Sequence, residues 1–312
     1  MAGQTGNKQH WAAQNERGSR AVLALTAWLV RWLPVGLLRP VMAAVCTYFY
    51  ITSPKQRRYI ACYQARLQTA FPETVLPRFA VWRQFAAFGE SVCDRFAVWQ
   101  KKITYRDLRI DDPDGLSQLV EQGGRGQIFA CSHFGNVEVC RALVSHHRGF
   151  KLNILVHSRH AQAFNEALVK AGADDISLIQ VTDLDAALML ELERRISAGE
   201  WLAVAADREP VSGGKTVEAR FLGADAPWPQ GVWLLAALLK TKVNTLFCIK
   251  ENGRYTLRLR YFTDASAWPR ASRQKEVASA AARFAGVLAE ECAANPLQWF
   301  NFYDFWKDEA NG

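Results

Sequence analysis

The feature that most limits the fold is a repeating texture that begins near Tyr105 and runs almost to the C-terminus. Short β-rich runs at Tyr105 to Ile110, Gly126 to Cys131, Lys151 to Val156, Ile176 to Gln180, Trp201 to Ala205, Val217 to Leu222, Val243 to Lys250 and Tyr255 to Tyr261 read as strands. Between them lie helical stretches at Gly115 to Gln122, Val137 to His146, Ala161 to Ala171, Leu184 to Ser197, Gly231 to Leu239 and Arg273 to Ala293. Strand and helix in alternation predict an α/β fold with a mostly parallel central sheet flanked by helices. At 312 residues, with 50% hydrophobic side chains, the chain buries enough surface to fold without disulfides or a structural metal. A disordered or collagen-like chain is excluded.

The segment before Lys101 is different. Apolar residues recur there at three and four, and Pro34, Pro54 and Pro72 predict breaks, giving about four helices between Arg17 and Trp99. We therefore read residues 1–100 as a basic, apolar helical region and 101–312 as the α/β part of one continuous unit. Between Arg17 and Pro72 stand eight basic residues and no Asp or Glu, leaving 30 basic against 30 acidic elsewhere, so the whole net charge of +8 lies in this segment. It also holds the most apolar stretch, Ala21 to Ile51, in which Trp28, Trp32, Tyr48, Phe49 and Tyr50 are interspersed with aliphatics. Cations beside aromatic and aliphatic residues suit an anionic membrane surface. Arg31, Pro34, Arg39 and Pro40 interrupt the run before the roughly 20 residues a span requires. The expectation is insertion in the interface or a short re-entrant hairpin; the alternative is a pair of ordinary core helices with Arg31 and Arg39 on a solvated face. A secretory signal peptide is not expected, because Arg31 and a second apolar stretch follow at once without a convincing small-residue cleavage site.

The seven cysteines form no C-x-x-C pair and read as buried reduced thiols, and the six histidines form no tight ligand set, so neither a metal nor a cofactor is expected. Two nucleotide-site patterns are decoys. Ser212 to Thr216 ends like a phosphate loop, but Glu209 stands where its first glycine belongs and a strand-like run follows. Gly123-Gly124-Arg125-Gly126 precedes a strand, whereas a dinucleotide loop follows one, so it reads as a helix stop and turn. Nothing in the sequence points to a nucleic acid.

The informative segment runs from Gln127 to Glu138, a strand entering a small polar turn and then a helix, which is where open α/β sheets place ligands. On a continuous helix His133 and Glu138 would stand about 140° apart, so they converge only if His133 lies in the turn. Gly135 allows the backbone to reverse, Asn136 suits an N-cap, and Glu138 falls in the first helical turn. A carboxylate there can hold one imidazole nitrogen and leave the other to accept a proton, as a general base requires. The bland alternative puts His133 in a core niche and Glu138 on the helix dipole. Chance alone supplies roughly 0.6 such pairs in a chain of this composition, so the spacing does not choose between the two.

With these residues in hand, the chain resembles the late acyltransferases of lipid A biosynthesis, the lauroyl and myristoyl transferases within the wider glycerolipid acyltransferase superfamily. The subfamily form of the H-x-x-x-x-D/E hallmark matches His133-Phe134-Gly135-Asn136-Val137-Glu138. Further matches are Asp207 in Ala205-Ala206-Asp207-Arg208-Glu209, the Phe221-Leu222-Gly223 turn, Pro229-Gln230-Gly231, the ending Asn295-Pro296-Leu297-Gln298-Trp299-Phe300, and the early Gln14-Asn15-Glu16-Arg17-Gly18. The resemblance implies a glycerol-3-phosphate acyltransferase-like fold and transfer of a fatty acyl group from acyl carrier protein, or coenzyme A, to a hydroxyl of a lipid. It places the protein on the cytoplasmic face of a bacterial inner membrane. It makes His133 the base and Glu138 its partner, with Gly135 and Asn136 in the same motif. Asp207 matches a functionally important acid; Arg208 and Glu209 follow it where Gln and Asp are usual. Lys170 and Arg159 are candidates for a phosphate or phosphopantetheine contact, with a solvated surface as the alternative reading for both.

Oxyanion stabilisation falls either to backbone N–H groups near Asn136 or to Arg208. The rivals are a thioesterase, with water as acceptor, and a non-catalytic membrane-binding relative. A serine hydrolase is disfavoured, since Ser132 lacks the glycines of a nucleophile elbow. Six aromatics between Trp299 and Trp306 either anchor the chain at an interface or close the core.

Overall fold

The computed structural model describes residues 35–140, 149–156, 176–180, 185–209 and 215–307, together with Trp32 and Val144. The helices expected before Val35 and at 161–171, and half of the one expected to end at His146, lie outside the described residues. Three long helices come first: α1 (Val35–Thr52), α2 (Pro54–Ala70) and α3 (Ala80–Trp99). Pro54 occupies the first position of α2, where its missing N–H costs nothing. Pro40 lies inside α1. Among the described residues no helix is long and apolar enough to cross a membrane.

The sheet has seven strands: β1 (Leu108–Asp111), β2 (Ile128–Cys131), β3 (Leu152–Val156), β4 (Ile176–Gln180), β5 (Trp201–Ala205), β8 (Lys242–Glu251) and β9 (Arg254–Asp264), in the spatial order β1-β9-β8-β2-β5-β3-β4. Strands β8, β2, β5, β3 and β4 run parallel, while β9 runs against β8 and β1 follows β9. The mostly parallel sheet read from the sequence is therefore present. Asn252 and Gly253, both at positive φ, close the β8–β9 hairpin as a two-residue loop of mirror-image turn geometry demands.

A separate hairpin pairs β6 (Thr216–Phe221) with β7 (Ala224–Pro229) through the Leu222-Gly223 turn. Strand β7 was not expected, because Pro227 and Pro229 argue against a strand; in a two-stranded ribbon each strand has a free edge and tolerates them. The expected strand from Tyr105 is also shorter. Thr104 and Asp107 form a reciprocal cap that winds Tyr105–Asp107 into a 3-10 turn, and β1 starts only at Leu108.

Among the described residues there are four further helices: α4 (Leu116–Gln122), α5 (Ala186–Ser197), α6 (Gly231–Leu238) and α7 (Arg273–Ala294). Strand β2 is buried on both faces, and its alternation feeds two cores. Ile128 and Ala130 pack with Tyr63 and Leu67 of α2, Ile196 of α5, Trp233 of α6 and Phe284 and Leu288 of α7. Phe129 and Cys131 pack on the other side with Leu116 and Val120 of α4, Val139 and Trp201. Each such fully buried large apolar side chain contributes about 1.5–3 kcal/mol.

The C-terminal aromatics close the core: Trp299, Phe300, Phe305 and Trp306 are all buried, with Trp306 stacked on Phe221. All seven cysteines are free thiols, five buried and Cys62 and Cys93 half-buried. Gly123 ends α4 at positive φ, and a Cβ at Gly126 would lie 1.9 Å from the Glu200 carbonyl oxygen, so this glycine run is a tight stop and turn. Thr216 opens strand β6, which agrees with the decoy reading of the preceding loop.

Candidate active site

Strand β2 delivers Ser132 and His133 at its carboxyl end, and the next residues are stitched down on both sides. Phe134 bridges to Trp299 and Gly135 to Cys248 of β8. The Gly135 N–H donates to the Gln298 carbonyl at 2.8 Å, the Asn136 N–H to the Cys248 carbonyl at 2.8 Å, and the Phe300 N–H to the His133 carbonyl at 2.7 Å. Gly135 sits at φ +69°, and a Cβ there would come within 2.0 Å of the Cys248 carbonyl oxygen. Only glycine allows this loop to lie against β8.

Strand β5 neighbours β2 and ends beside it, the Ala206 N–H donating to the Cys131 carbonyl at 2.8 Å. The next residue, Asp207, is completely buried. Its carboxylate accepts three bonds: from the His133 backbone N–H at 2.8 Å, from His133 Nδ1 at 2.8 Å and from Trp299 Nε1 at 3.2 Å. The orienting carboxylate on Nδ1 is thus that of Asp207, 74 residues away, and this corrects the expectation that Glu138 holds the imidazole there. Glu138 lies half-buried in a 3-10 turn, Val137–Cys140, where a regular helix was expected to start.

Electrostatics fix the protonation pattern. Burial opposes ionisation of Asp207, but the His133 ring, the bonds from His133 and the Arg208 charge outweigh it and hold its pKa below the usual carboxylate value. An ionised Asp207 makes Nδ1 the proton donor and leaves the Nε2 lone pair of a neutral ring to accept a proton. Burial, aided by Arg208 and Arg95 and opposed by Asp207, lowers the His133 pKa from 6.5. The ring is therefore neutral at pH 7, and its side chain keeps 34% exposure.

Arg208 is held by the C-terminal segment, donating from Nε to Asn301 Oδ1 at 2.9 Å and from Nη2 to the Phe300 carbonyl at 3.0 Å. Trp299, Phe300 and Asn301 therefore clasp His133, Asp207 and Arg208 together. The sequence reading missed Trp299 and Asn301 as site residues; Trp299 lies in the ending motif from Asn295 to Phe300, and Asn301 follows directly after it. The N–H groups of Gly135 and Asn136 are consumed by protein carbonyls, which removes both from the set of backbone oxyanion donors considered near Asn136.

The Asn136 amide, expected to cap a helix, instead donates to the Ser91 carbonyl at 3.0 Å and to Tyr255 Oη at 3.3 Å. The Tyr255 hydroxyl donates in turn to Asp94 at 2.7 Å, and Lys250 Nζ meets Asp94 at 2.5 Å and Glu90 at 2.7 Å. Farther along α3, buried Gln84 donates to the Trp299 carbonyl at 2.7 Å. Helix α3 is thereby bonded to both segments that frame His133. Ser132 Oγ is buried without a hydrogen-bond partner among the described residues, which gives it no base to activate it. Arg159 and Lys170 lie outside the described residues.

A neutral histidine held by a buried carboxylate at the end of a central strand is an arrangement able to accept a proton from a substrate hydroxyl. The family model for bacterial lipid A biosynthesis acyltransferases matches residues 10–308, and the chain belongs to that family. No curated protein matches the chain.

Proposed function

We propose that the protein transfers a fatty acyl group from a carrier thioester, acyl carrier protein or coenzyme A, to a hydroxyl of a lipid A-like acceptor at the cytoplasmic face of the inner membrane. The observation that carries this reading is the His133–Asp207 pair, in which Asp207 takes Nδ1 and the His133 side chain stays partly exposed. Nε2 takes the proton of the acceptor hydroxyl as its oxygen attacks the thioester carbonyl carbon. The tetrahedral adduct collapses with cleavage of the C–S bond, and the imidazolium returns the proton to the departing thiolate. The guanidinium charge of Arg208, close enough to His133 to depress its pKa, favours the transient oxyanion. Glu138, the acid of the hallmark motif, is a second catalytic candidate.

Two apolar features support a lipid substrate. Ring contacts run without a break from Tyr50 of α1 through Phe85, Phe302 and Phe88 to Phe300, whose N–H bonds the His133 carbonyl. A fatty chain laid along these rings ends at the base. On α1, Val41, Val45, Tyr48 and Ile51 are exposed at helical spacing, with exposed Lys55 and Arg58 just beyond. An apolar face flanked by cations suits peripheral binding to an anionic bilayer.

The test is incubation of the protein with radiolabelled acyl carrier protein and bacterial lipid extract. Acylated lipid from the wild type and none from His133→Ala supports the reading. Free fatty acid as the sole product would replace it with a thioesterase, and full activity of His133→Ala would remove the base.

A further inference from the structure

A concave site lies on the same edge of the sheet as His133, and the proton-transfer chemistry proposed above does not use it. It is a cavity of about 370 Å³ lined by Lys102, Arg106, Arg109, Lys250 and Arg254, with Asp107 as the one acid and Tyr255 at its inner wall. Topology puts it there. Strand β8 runs with β2, so Lys250 comes near its carboxyl end at the edge that carries His133. Strand β9 runs the opposite way and begins at that edge with Arg254 and Tyr255, and β1 follows β9, with Leu108 opposite Tyr255. At about 4.8 Å per strand the cavity lies roughly 10–15 Å from His133.

Five cations round one concavity repel each other. Lys250 is compensated by Glu90 and Asp94, and Asp107 is committed to the Thr104 backbone N–H and hydroxyl. Arg106, Arg109 and Arg254 are all exposed. No large exposed apolar side chain lines the cavity, in contrast with α1, so a bilayer does not fit it as well as an acidic protein does.

We propose that this basic cleft docks the acidic protein that carries the acyl thioester, holding it beside the sheet edge while a flexible prosthetic arm spans the remaining distance to His133. Tyr255 and Lys250 join the cleft to the site through Asp94 and Asn136. The inference rests on the acyltransferase reading above and adds the donor's place on the surface.

The test uses the full chain carrying Arg106→Glu with Arg254→Glu, and separately the milder Arg106→Gln with Arg254→Gln. KM for acyl carrier protein is expected to rise about tenfold in the reversal pair, with kcat retained and a weaker dependence on salt. KM for an acyl-pantetheine donor, which lacks the protein, stays unchanged. Fluorescence anisotropy of labelled acyl carrier protein reads the same loss of binding without turnover. Carrier binding that is lost in the variants, in a protein that transfers no acyl group, would leave the docking site standing and remove the acyltransferase reading. Normal turnover with an unchanged carrier KM would overturn the docking site, as would an equal rise for acyl-pantetheine or a loss confined to vesicle binding.

Discussion

Asp207 accepts both the backbone N–H and the ring Nδ1–H of His133, so one buried carboxylate sets the position and the tautomer of the imidazole together. Because the chain and the ring are gripped by the same group, the imidazole has little freedom to turn. Trp299 closes the remaining side of the carboxylate.

Replacement of Asp207 by Asn removes the charge that favours the imidazolium and reverses the tautomer preference. Acyl transfer should fall about 10²- to 10⁴-fold in kcat, while the acceptor KM moves little. Glu138→Gln, which leaves the Nδ1 partner in place, should lose less. Steady-state kinetics of the two variants in one assay decide this: a Glu138→Gln loss as deep as that of Asp207→Asn would move the principal orienting role back to Glu138.

The rate should depend on pH through a single acid limb. The active ring is neutral, so kcat/KM falls as the pH drops through the His133 pKa, and the midpoint lies below 6.5 because burial, Arg208 and Arg95 all disfavour the charged ring. Asp207 stays ionised across that range, its pKa being held below the usual value of 3.8. Arg95→Gln removes one of the depressing charges and should move the midpoint upward. A limb that stays in place or moves to lower pH in this variant would contradict the assignment.

Gly135→Ala combines a left-handed backbone with a 2.0 Å approach of the new Cβ to the Cys248 carbonyl. Destabilisation of roughly 2–4 kcal/mol is expected, read as a lower midpoint in thermal or urea unfolding. Gly223→Ala is the control, since it too has positive φ but meets nothing within 4 Å, and it should cost less.

The exposed face of α1 should carry vesicle binding. Val45→Asp with Ile51→Asp places two acids among residues that are 46% and 63% exposed, so the fold should tolerate them. Sedimentation with vesicles containing anionic lipid should show reduced binding, and an unchanged bound fraction would separate α1 from the membrane.

Much of this molecule is written in local pattern. Hydrophobic runs of five to ten residues, each between turn residues, gave the strands at Ile176–Gln180 and Trp201–Ala205 to the residue. The glycine stops and the proline start of α2 are equally local, because each depends on one residue's own φ or missing N–H. The place of His133 at a strand end was legible, since a polar turn after a buried strand announces such a position. The tertiary structure alone decided which acid bonds its ring. Glu138 is near in sequence, but Asp207 is near in space, because β5 pairs with β2 and both strands end on one edge. A parallel sheet joins residues through crossovers whose length leaves no periodic trace, so the His133–Asp207 pair, the clasp by Trp299 and Asn301 and the basic cleft beside Tyr255 exist only once the strand order is set.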